Sequence, residues 1–112
     1  VISLDLARKL KEAGLKPAHD ECEQYWIAEV EEVMHVSREY APEPDDIWIP
    51  RLDQLLKEIK KRYQGIIHIW NPEDDRGIWA VSIGGRFWLF FDENVENAVA
   101  RALLALLEKK QG

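Results

Sequence analysis

The chain has 112 residues, 15 Lys+Arg against 21 Asp+Glu for a net charge of −6, one Cys, five Trp and 46% apolar residues. At this length one domain buries roughly two thirds of the surface of its unfolded chain, so residues 1–112 are expected to form a single α+β domain and two domains do not fit. The acidic balance argues against a nucleic-acid binder, which needs positive surface to displace phosphate counterions, and a lone Cys22 excludes an internal disulfide.

The first predicted element is a short helix. Ser3 can cap it, Asp5 sits in its first turn, and Leu6, Leu10 and Ala13 recur at helical spacing. Gly14 followed by apolar Leu15 is the arrangement of a Schellman-type stop, and Pro17 prevents continuation. Residues 24–36 read in two ways. Tyr25, Trp26, Ile27, Val33 and Val36 favour two strands joined through Glu29 to Glu32, whereas Trp26, Val30, Val33 and Met34 also fit a helical stripe. The strands are the preferred reading. Tyr40-Ala-Pro-Glu-Pro-Asp-Asp46, with two prolines and three acids over seven residues, is a connection. Pro50 opens a second helix whose Leu52, Leu55, Leu56, Ile59 and Tyr63 share one face, with Lys57, Glu58, Lys60 and Lys61 outside it.

From Ile66 the period becomes that of strands: Ile66 to Trp70, Ile78 to Ile83 and Arg86 to Phe91. Gly84-Gly85 is predicted to be a two-residue type I′ turn, which sets Ile83 opposite Arg86, Val81 opposite Trp88 and Trp79 opposite Phe90. Ile78, Ala80, Ser82, Phe87, Leu89 and Phe91 then line the other face, while the register of the Ile66 to Trp70 strand stays open. Asn94 is the predicted N-cap of a last helix running to about Lys110. Apolar residues cover about two thirds of that helix's circumference, so it needs cover on more than one side. The expected order is α-β-β-α-β-β-β-α, an antiparallel C-terminal meander plus an N-terminal hairpin packed with about three helices.

Residues that might carry chemistry are few. His19 and Cys22 are three apart and can both reach one zinc ion, but a structural site needs four ligands and no second Cys exists. No metal or cofactor is expected, and purified protein should hold no stoichiometric zinc. Asp45-Asp46 and Asp74-Asp75 read as solvated acids in loops, and the EF-hand spacing is absent from 71 to 82. No nucleophile elbow, phosphate loop or dinucleotide fingerprint is present, so no catalytic residue is assigned and no enzyme activity is expected. Lys57, Lys60, Lys61 and Arg62, with Lys109-Lys110, read as solvated faces and helix C-terminal cations. The most apolar run, Ala98 to Leu107, is interrupted by Arg101 and falls short of a membrane span. No positively charged start leads into an apolar run, so a cytoplasmic protein without membrane or nucleic-acid partners is expected. Val1 reads as the literal translation of a GUG start.

The strongest pointer to function is aromatic. Both faces of the predicted Gly-Gly hairpin are apolar, and Trp79, Val81, Trp88 and Phe90 are the interface candidates, because helices cannot easily cover both faces. A homodimer or larger assembly is expected to cover one sheet face or the surplus apolar side of the last helix.

Four stretches carry a likeness: Leu4-Asp-Leu-Ala-Arg-Lys-Leu-Lys-Glu-Ala-Gly-Leu15, Asp46-Ile-Trp-Ile-Pro-Arg-Leu-Asp-Gln-Leu-Leu56, and Arg86-Phe-Trp-Leu-Phe-Phe91 ahead of Ala98-Val-Ala-Arg-Ala-Leu-Leu-Ala-Leu-Leu-Glu108. With these, the chain resembles small phage- or prophage-encoded proteins of Gram-positive bacteria. The likeness leaves out Cys22 to Tyr40 and departs at the final helix start, where Asn94-Val95 stands in place of Thr-Pro or Ser-Pro. It implies a phage accessory role, with a host or phage protein as partner, and transfers no catalytic residue. The alternative expectation is an acidic host-directed inhibitor that presents residues 43 to 46 and 73 to 75 to a nucleic-acid-binding protein.

Overall fold

The computed structural model describes residues 2–18, 22–71, 78–83 and 89–111, with the backbone alone of Cys22 and of residues 109–111. Helix α1 (Leu4–Glu12) begins where the Ser3 hydroxyl accepts the Leu6 N–H at 3.2 Å. It ends in the predicted stop: Gly14 has φ 97°, its N–H donates to the Lys11 carbonyl at 3.1 Å, and the Leu15 N–H donates to the Leu10 carbonyl at 3.0 Å. Both bonds of the Schellman motif are therefore made. Gly14→Ala is expected to cost about 1–2 kcal/mol, because an L side chain resists this left-handed backbone. Thermal melting checks it, and an unchanged Tm would show that the stop tolerates a Cβ.

The segment with two readings is a hairpin. Strands β1 (Cys22–Ile27) and β2 (Glu32–Ser37) pair antiparallel, with Tyr25 opposite Met34 and Ile27 opposite Glu32. The turn between them is one residue earlier than expected at its start, and Glu31 takes a left-handed φ of 54°. A strand the sequence reading did not assign, β3 (Ile47–Trp48), pairs with the other edge of β1, so the sheet order is β2-β1-β3. The order is thus α-β-β-β-α-β-β-β-α.

Helix α2 (Leu52–Arg62) buries Leu55 and Ile59 as its apolar spacing requires, and it also buries Gln54 and Glu58. Glu58 was expected on the outer face. It lies inward because Arg62 and Lys61 reach its two carboxylate oxygens at 2.6 and 2.9 Å and neutralise it there. Burial alone would raise the Glu58 pKa, but those hydrogen bonds and charges outweigh burial and hold it below the usual value.

Strands β4 (Ile67–Trp70), β5 (Trp79–Ile83) and β6 (Leu89–Asp92) form the expected C-terminal meander in the order β4-β5-β6. Its register corrects the sequence reading: Val81 pairs with Phe90 rather than Trp88, and Trp79 with Asp92 rather than Phe90. The offset is two residues, so each described side chain keeps its face. Gly84-Gly85 itself lies outside the described residues.

Helix α3 (Val95–Gln111) is capped as predicted. The Asn94 side-chain oxygen accepts the N–H groups of Glu96 and Asn97 at 2.8 and 3.2 Å. Ala98, Val99, Ala100, Ala102 and Leu103 are fully buried, because α3 packs against β5 and β6 and against both α1 and α2. The surplus apolar side expected to need a second subunit is covered within the chain. Helix α1 also rests on β3, and Gln54 of α2 donates to Glu23 of β1, which ties the N-terminal sheet to the helices.

Candidate functional site

Cross-strand pairing assigns the two faces of the C-terminal sheet. Ile69, Val81 and Phe90 lie abreast on one face, and Trp70, Ala80 and Phe91 on the other. Val81 is 0% exposed and packs in the core with Ile83, while Trp79 and Phe90 are half-buried against that core. The face carrying the interface candidates Trp79, Val81 and Phe90 is therefore the one that rests on α3. Val81 cannot contact another molecule, and Trp88 lies outside the described residues.

The uncovered face is the opposite one. Leu89 and Phe91 are 44% and 52% exposed, and Ile66, next to β4, is 81% exposed. His68 and Trp70 share this face with their rings 4.9 Å apart at 39°. An available signal for this choice was polarity, since Ser82 and His68 interrupt this face whereas Ile67, Ile69, Val81 and Ile83 keep the other aliphatic.

Asp46 also lies elsewhere than expected. It is 5% exposed and structural rather than a solvated acid beside Asp45. One carboxylate oxygen accepts the Ala28 N–H at 3.1 Å, and the other accepts the Tyr40 hydroxyl at 2.6 Å and the Glu43 N–H at 2.9 Å. Lys11 donates to the Asp46 carbonyl at 3.0 Å and to the Pro44 carbonyl. Burial would raise the Asp46 pKa, but these donors and the Lys11 charge more than offset it and lower the value. The same hydrogen bond pushes the Tyr40 hydroxyl up to about 12. The network clamps the Pro-rich connection onto α1 and the hairpin turn.

A second buried carboxylate, Glu23, accepts the Trp48 indole N–H at 2.6 Å and the Gln54 amide at 2.8 Å. The Gln54 oxygen in turn accepts the Arg51 N–H at 2.9 Å, which caps α2. Between these two networks is a cleft of about 160 Å3 whose walls include Leu10, Leu15, Tyr25, Pro44 and Trp48. Its lining is mainly apolar, and Asp46 at its edge is held by the donors just described.

Among the described residues no group of three or more His, Cys, Asp and Glu side chains is placed to hold a metal ion. His19, the Cys22 side chain and Asp74-Asp75 lie outside those residues. No described helix is long and apolar enough to cross a membrane. Comparisons with protein-family models, curated proteins and solved structures found no match.

Proposed function

We propose that the protein is a noncatalytic, self-associating interaction protein of the phage accessory kind, working in the cytoplasm, whose contact surface for a partner protein is the open face of the C-terminal sheet. The observation that carries this reading is the exposure of Ile66, Leu89 and Phe91 around the His68–Trp70 pair. Apolar and aromatic side chains grouped on one uncovered sheet face gain free energy by leaving water, and contact centres are rich in such residues. Self-association would set two such faces in one assembly, which raises the apparent affinity for a partner that also has two sites.

Light scattering on a sizing column tests self-association. The expected mass exceeds the 13.1 kDa of one chain at micromolar concentration. A mass of 13.1 kDa throughout would overturn that part of the reading. The acidic-inhibitor reading is favoured by a different observation: Glu29, Glu31 and Glu32 stand exposed at the hairpin turn with Glu43 and Asp45 in the connection. It expects salt-sensitive binding to a basic nucleic-acid-binding protein, lost when the three hairpin glutamates are changed to Gln.

A further inference from the structure

Tyr25 lies in the middle of β1, with Met34 on one side and Trp48 on the other, and is 4% exposed. A phenol buried this far ordinarily finds a hydrogen-bond partner. The carboxylates near it are engaged by other donors: Asp46 accepts from Ala28, Tyr40 and Glu43, and Glu23 accepts from Trp48 and Gln54. Among the described residues the Tyr25 hydroxyl has no hydrogen-bond partner. No fully enclosed side-chain oxygen or nitrogen among those residues lacks a partner, so this hydroxyl touches open space. The open space that Tyr25 lines is the cleft between α1 and the N-terminal sheet.

The size and lining of that cleft restrict what it can take. Its volume is about 160 Å3, with Leu10, Leu15, Pro44 and Trp48 among its walls. An apolar cavity of about 150 Å3 in another protein takes up one benzene molecule, so a single aromatic ring fills this space. Lys11 lines the rim, but its ammonium group donates to the Pro44 and Asp46 carbonyls. Burial, and then the charges of Glu23 and Asp46, push the Tyr25 hydroxyl above its ordinary value of 10.0, which keeps it a neutral donor. The same two charges disfavour an anion in the cleft. An ammonium group would find both carboxylates engaged and would leave water without a partner of its own.

We propose that the cleft binds a small uncharged molecule made of one aromatic ring and one hydrogen-bond acceptor. The ring lies against Leu10, Leu15 and Trp48, and the acceptor takes the Tyr25 O–H. This site is on the other sheet from the open face carrying Leu89 and Phe91, and it stands or falls independently of self-association.

The test titrates the full chain, labelled with nitrogen-15, with three probes that share a ring: benzamide, benzoate and toluene. Benzamide should shift the Trp48 indole N–H and the Leu10 and Leu15 amides together, saturating with a Kd of about 1 mM or tighter. Benzoate should bind at least about tenfold more weakly, because its charge meets those of Glu23 and Asp46. Tyr25→Phe should weaken benzamide roughly tenfold and leave toluene within about threefold, since only benzamide uses the hydroxyl. That hydroxyl bonds nothing in the protein, so the variant should keep the parent's Tm, and unchanged toluene binding reports an intact cleft. Absence of benzamide shifts at Leu10, Leu15 and Trp48 up to about 20 mM would overturn the proposal. So would benzoate binding as tightly as benzamide, shifts confined to Leu89 and Phe91, or Tyr25→Phe binding benzamide like the parent. None of these outcomes bears on the mass of the protein in solution, which tests self-association separately.

Discussion

Leu103→Ala is expected to lower stability by about 3–4 kcal/mol, enough to drop Tm by roughly 15 °C in a domain of this size. Leu103 is 0% exposed on the helix that touches the C-terminal sheet and both other helices, so no single neighbour can collapse into the space left. The loss combines the transfer of the deleted carbons with the cavity that remains. Arg101→Ala, two positions away on the exposed side, is the control. It removes a partly solvated contact with Asp92 at 3.1 Å and should cost less than about 1 kcal/mol. Urea unfolding of both variants checks the pair, and a Leu103→Ala cost under about 1 kcal/mol would show that α3 is not the shared core.

Asp46→Ala is the second large effect, expected at about 2–4 kcal/mol, since it strands the Ala28 and Glu43 N–H donors and the Tyr40 hydroxyl. Asp46→Asn should recover only part of this, because its amide nitrogen turns a donor toward a donor at one side of the network. The network also sets a pH dependence. Asp46, Glu58 and Asp92 all have lowered folded-state values, so the folded protein binds fewer protons than the unfolded chain in acid. Their contribution is present above the ordinary values of 3.8 for Asp and 4.5 for Glu, and is lost as pH falls through the lower folded-state values. At the other end, Tyr40 is raised from 10.0 to about 12, so its contribution is complete below pH 10.0 and is lost as pH rises toward 12. Melting temperature against pH should therefore decline on both limbs. In Asp46→Asn the acid limb should be shallower and the alkaline limb should lose the Tyr40 contribution; profiles that superimpose on the parent would remove Asp46 as their cause.

Features written in a few adjacent residues were legible without the structure. Ser3 and Asn94 cap helices through hydrogen bonds that span two or three positions, and Gly14 stops α1 because its own backbone must turn left-handed. The β period likewise placed Trp79, Val81 and Phe90 on one face and Leu89 and Phe91 on the other, and that division survived a two-residue shift in register because the period is two. Which of the two faces is covered was a tertiary matter, decided when α3 lay across Val81 and Ile83 and left Leu89 and Phe91 exposed. Long-range partners also made β3, whose Trp48 pairs with Tyr25, and turned Asp46 from a loop acid into a buried clamp for Ala28 and Tyr40. The buried Glu23 and Glu58 follow the same rule: an acid side chain alone reads as solvated, and only donors brought by the fold make its burial tolerable.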